Sequence, residues 1–94
     1  MDAIHKLANR REILAATREA VKMHKAYAKR ARQDLAKAML EISADPAHAH
    51  LRYSEVGRLY VTANREDILA DLAHGSCLTL LSEIFSLEEQ LKNQ

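Results

Sequence analysis

The chain is poor in the residues that bend or staple a protein. Its 94 residues include two glycines, one proline, one cysteine and no tryptophan. So few glycines exclude a P-loop and a dinucleotide fingerprint, which need several in one short loop. Few turn-forming residues exclude collagen and most all-β folds. The lone Cys77 excludes an internal disulfide, and no zinc-finger spacing is present. Long apolar runs are also missing. The longest lies around Cys77, Leu78, Leu80 and Leu81 and is interrupted by Thr79. A membrane span needs about 20 such residues. The first residues lead into Arg10 and Arg11 rather than an apolar core, so no secretory signal is read. These absences predict no membrane partner and a reducing, cytoplasmic setting. With 48% apolar residues and a net charge of +1, disorder is not expected.

What is present forms helices. Alanine occurs sixteen times and leucine thirteen, both strong helix formers. From Asp2 to Ser43 there is no Gly or Pro. Over that stretch Leu7, Leu14, Val21, Ala28, Leu35 and Ile42 recur every seven residues. A second row holds Ala3, Arg10, Thr17, His24, Ala31 and Ala38. A sustained heptad predicts coiled-coil-like packing along one seam. A helix of this length extends about 60 Å, whereas a compact domain of this size is about 30 Å across. The overhang, with its apolar row, predicts a hairpin or a partner chain to cover it.

Asp45–Pro46 reads as a helix start. The stripe Ala49, Tyr53, Val56, Tyr60 and Ala63 follows at helical spacing. Asn64 with Asp67 resembles a capping box, with Ile68, Leu69 and Leu72 as the next apolar face. Gly75 reads as a C-terminal stop and Ser76 as a new cap. Cys77, Ile84 and Leu91 then form one heptad row and Leu80 with Leu87 the other, widened by Leu81 and Phe85. Residues 8–15 resemble residues 63–70, which reads as chance or a shared helix-start solution rather than as a duplicated hairpin. The expected fold is all-α. A long N-terminal helix spans about 2–43, and shorter helices span about 46–62, 65–74 and 76–92. They form a helical hairpin or small bundle with a heptad seam, as a single domain.

The near-neutral charge conceals a division. Residues 1–43 hold ten Lys or Arg against five Asp or Glu, a net of +5. Residues 44–94 hold four against eight, a net of −4. Arg11, Arg18, Lys25 and Arg32 occupy one heptad position beside the seam, and Lys22 and Lys29 another. Such a row can be a solvated face, can pair with acidic groups of the second half or of a partner, or can contact phosphates. Only Tyr27 supplies an aromatic there, so no base-stacking platform is read.

No catalytic set emerges. Cys77 sits on an apolar row and reads as core. His48 and His50 are two apart and do not share a helix face, and His24 lies in the seam as a core histidine. His5 and His74 complete no metal set. The carboxylate pairs Glu66–Asp67 and Glu88–Glu89 are adjacent and point apart. The sequence therefore predicts no enzyme, no metal and no cofactor. It predicts a helical interaction module, an adaptor or inhibitor that occludes a larger protein, working as a homodimer. Arg11, Arg18, Lys25 and Arg32 are the expected partner contacts. Leu7, Leu14, Val21, Ala28, Leu35 and Ile42 are the expected assembly seam. A small nucleic-acid-binding regulator using the basic first helix is the alternative.

Overall fold

A computed structural model describes residues 2–94. Among them every element is helical: α1 (Ala3–Ala44), a short 3-10 helix (Pro46–Leu51) and α2 (Tyr53–Lys92). The all-α expectation holds, in a hairpin-like arrangement. The first helix starts where the Asp2 carboxylate accepts the His5 backbone N–H at 2.9 Å, an N-cap bond that satisfies one orphan donor. It stops where Pro46 lacks an N–H and disfavours helical backbone at the residue before it. Asp45 accordingly sits at φ −139° and ψ 73°.

Three expected boundaries are corrected. Asp45–Pro46 opens a short 3-10 segment kinked at His48 (φ −110°, ψ 15°) rather than a long α-helix, and the Asp45 side chain caps no backbone N–H. The α-helix begins only at Tyr53 and then runs unbroken through Asn64, Gly75 and Ser76 for 40 residues. No glycine has positive φ, so Gly75 is an ordinary helical residue and not a stop. Ser76 donates its hydroxyl to the Leu72 carbonyl at 3.2 Å, as a mid-helix serine does. The matching segments 8–15 and 63–70 both lie inside helices and start neither. The physical reason is an uninterrupted heptad. Ala49, Val56, Ala63, Ala70, Cys77, Ile84 and Leu91 share one row; all are buried or half-buried. So are Arg52, Leu59, Glu66, Ala73, Leu80 and Leu87 in the other. One glycine costs a helix about 1 kcal/mol, which continuous seam packing offsets.

The chain divides into two compact units, Met1–Lys22 with Ala70–Gln94, and Met23–Leu69. The first unit has a conventional core. Leu7 and Leu14 of α1 cluster with Cys77, Leu80 and Ile84 of α2, and Val21, Leu87 and Leu91 pack against them. Burying each large side chain stabilises by about 1.5–3 kcal/mol. The second unit is built differently. Its buried apolar residues are Ala28, Ala31, Ala38, Ala49, Leu59 and Ala63, so its seam is mostly methyl groups. Large residues stay outside: Tyr27, Tyr60, Val61 and Ile68 are each half or more exposed. Tyr53 and Tyr60, expected on the buried stripe, face solvent because the true seam positions beside them are Arg52, Val56 and Leu59.

Candidate functional site

The heptad places the expected contact residues along one edge of α1, beside the seam. The structure divides them into two kinds. Arg11 lies 3.5 Å from Glu88, in the first unit. Arg32 grips Asp67 with both terminal nitrogens, in the second. In both cases an acidic residue of α2 occupies the equivalent edge. Arg18 and Lys25 are exposed, and among the described residues neither has a carboxylate within ion-pair distance. Half of the basic row is thus engaged by the chain's own acidic half, and half is free. Exposed pairs of this kind contribute about 0–1 kcal/mol each. They orient helices more than they stabilise them.

The expected assembly seam is closed within the chain. Leu7, Leu14 and Val21 pack against α2 in the first unit. Ala28 is buried and Leu35 and Ile42 half-buried in the second. These six side chains are therefore not the surface left for another molecule. On α2, Ile68 of the second unit is 60% exposed, and Leu72, Leu78 and Phe85 of the first unit are 64%, 56% and 65% exposed. Sequence reasoning put Ile68 and Leu72 on a buried face because it broke the helix at Asn64 and Gly75, and extending the Cys77–Ile84 row backward in sevens would have shown them outside it; Phe85 was read as widening that row, whereas it stands beside Ile84 and faces outward.

The most specific polar feature was missed. Glu66 is the buried charged residue among those described, with 8% exposure. It sits in the seam, where its Oε2 meets His24 Nδ1 at 2.5 Å, while Arg65 lies 3.6 Å from its other oxygen. Tyr27 packs edge-on to the His24 ring, with centroids 6.5 Å apart. Adjacent Glu66 and Asp67 do point apart, but Glu66 points inward. The signal was Glu66 standing seven residues from Leu59 and from Ala73.

An open cleft of about 630 Å³ lies at the helix connection, lined by residues that include Glu41, Asp45, His48 and Arg52. Its charges are already matched. Arg52 lies 2.6 Å from Glu41, and His48 Nδ1 lies 2.8 Å from Asp45. No serine or cysteine lines it, so no nucleophile stands beside the His48–Asp45 pair. Among the described residues, no three His, Cys, Asp or Glu side chains converge as a metal set would require. Cys77 is buried.

One helix also differs from the sequence expectation in its apolar length. Because α2 is continuous, it contains an 18-residue window of mean hydropathy 1.3 that is only 22% buried. By length and composition alone this helix is able to cross a membrane. A helix whose outer face meets another protein has the same composition. Compared with known protein families, curated proteins and solved structures, the chain matches none.

Proposed function

We propose that the protein is a non-enzymatic helical interaction module, an adaptor or inhibitor that binds and occludes a larger protein. In this reading it works as a homodimer in the cytoplasm, without metal or cofactor. One observation carries the reading. The seam is closed inside the chain, yet large apolar side chains and unpaired cations remain outside. Exposed apolar residues that form a contiguous patch mark an interaction site. Arg18 and Lys25 supply the free charge that steers an acidic partner onto the α1 edge. Arg11 and Arg32, held by Glu88 and Asp67, frame that edge rather than leading the contact.

A second reading is a small nucleic-acid-binding regulator. It is favoured by Arg18, Lys22, Lys25 and Lys29, which follow one another at helical spacing on α1. Phosphate contacts from such a row would weaken steeply with salt. The two readings separate in one experiment. Protein is recovered from its native host with and without nuclease, using the wild type and the variant Arg18→Glu/Lys25→Glu. The proposal expects a protein partner that survives nuclease and is lost in the variant. Recovery that disappears with nuclease supports the second reading. Retention of the same partner by the variant refutes the assigned contact edge.

A further inference from the structure

The second unit, Met23–Leu69, has a seam that apolar packing alone does not place. We infer that the His24–Glu66 contact fixes the register of α1 against α2 in this unit, as a polar latch against a slip of one heptad. The inference goes beyond the interaction reading and holds whatever the protein binds.

The seam repeats itself. Its buried apolar residues are Ala28, Ala31, Ala38, Ala49, Leu59 and Ala63. Counting outward from His24 opposite Glu66, antiparallel pairing sets Ala31 opposite Leu59. Ala31, Leu59 and Glu66 do border one depression. In the same count Val56 stands opposite Leu35 and Ala49 opposite Ile42. After a slip of one heptad, Val56 would meet Ala28 and Ala49 would meet Leu35. Each contact stays apolar. Hydrophobic burial is non-directional, so it discriminates little between the two registers.

Two features do discriminate, and each bars one direction. A slip that moves the chain reversal toward the C-terminus would carry α1 through Pro46, which lacks an N–H and breaks a helix. The opposite slip meets no proline. It would move the reversal about one helical turn toward the N-terminus, and Asp45–Pro46 would then open α2 as an N-cap and first residue. That local signal is unused in the observed register, where Asp45 caps no backbone N–H and α2 begins at Tyr53. The slipped register therefore suits the Asp45–Pro46 sequence better than the observed one.

The polar pair opposes it. The slip would set His24 against Leu59 and take Glu66 away from the imidazole. Glu66 is 8% exposed, and its Oε2 lies 2.5 Å from His24 Nδ1. A buried polar group that loses its partner is costly. The other cross-connections of this unit, Arg32–Asp67 and Arg52–Glu41, are exposed, and water replaces such pairs at little cost. A single polar contact inside an apolar heptad seam is a known means of specifying register.

Crosslinking in the full chain reads the register. Cys77→Ala removes the native thiol. In that background Tyr27→Cys/Thr62→Cys reports the observed register, because Tyr27 and Thr62 border one depression. Tyr27→Cys/Glu55→Cys, one heptad back, reports the slip. Dilute protein is treated with a short bis-maleimide, and the intramolecular product is identified by mass spectrometry. With His24 and Glu66 intact, only the 27–62 product is expected. His24→Ala/Glu66→Ala should raise the 27–55 product by about tenfold or more. His24→Ala/Glu66→Leu keeps the seam filled and sets a leucine against an alanine in either register, so it should raise that product too. Circular dichroism checks that each variant is helical. The exchange His24→Glu/Glu66→His rebuilds the contact and should return the 27–62 product alone. A helical variant of either kind that links only 27–62 overturns the inference. So does an exchange variant that links 27–55 as freely as the alanine variant.

Discussion

The His24–Glu66 contact should behave unlike the exposed ion pairs between the two long helices. Its carboxylate side chain is 11% exposed and its imidazole side chain 28%. Other pairs between the two long helices, such as Arg10–Glu83, are 37% and 44% exposed. Replacing His24 by Ala leaves a buried carboxylate with only Arg65 at 3.6 Å. Removing one partner of a buried polar pair costs about 1–3 kcal/mol. For a domain of this size that lowers Tm by about 4–8 °C per kcal/mol. Glu66→Ala removes the carboxylate itself and should cost less. A cycle of His24→Ala, Glu66→Ala and the double variant should give a coupling energy of about 1–3 kcal/mol. The same cycle on Arg10 and Glu83 should give about 0–1 kcal/mol. Replacing both seam residues by Leu should be close to neutral or stabilising, since apolar replacement of a buried pair often is. Urea unfolding followed by circular dichroism reads all of these, at one fixed protein concentration because association adds to stability. A His24–Glu66 coupling below about 0.3 kcal/mol, the additivity limit for independent sites, would refute the argument.

Other expectations follow from the two cores and the continuous helix. Leu14→Ala should cost about 2–5 kcal/mol by opening a cavity among Cys77, Leu80 and Ile84, whereas Leu72→Ala, 64% exposed, should stay within about 0.5 kcal/mol in thermal unfolding. Ala28→Leu should cost about 1–3 kcal/mol by overpacking, because Ala28 is 1% exposed in a seam of small residues. Gly75→Ala should stabilise by up to about 1 kcal/mol, since a Cβ at Gly75 meets nothing within 4 Å. Loss of stability in that variant would mean that Gly75 adopts the left-handed conformation of a helix stop.

The heptad of α1 was fully legible in the sequence. Leu7, Leu14 and Ala28 are buried where the seven-residue spacing puts them, and His24 and Arg10 lie half-buried in the thinner row. The second helix was less legible for a specific reason. Between Leu59 and Ala73 its seam is carried by Ala63, Glu66 and Ala70, which carry little hydrophobic signal. Nearby Tyr53, Tyr60, Ile68 and Leu72 carry a strong one but lie off the seam. Periodicity weighted by hydrophobicity follows the large residues. Asn64 and Ser76 then read as caps, although cap chemistry needs a non-helical backbone that neither residue has. For the basic row, sequence showed the alignment of Arg11, Arg18, Lys25 and Arg32. It could not show which cations would find a carboxylate.

Composition and spacing by themselves determined the helical class, the α1 seam and the separation of basic from acidic halves. Those properties depend on local propensity and on a period, and both are written along one chain segment. Only the tertiary structure decided that Glu66 turns inward to His24, that Arg11 and Arg32 are engaged while Arg18 and Lys25 are not, and that the large apolar residues of the second unit face outward. Each of those outcomes depends on which residues of a distant segment stand opposite. That pairing is set by packing two long helices against each other, and no single stretch of sequence contains it.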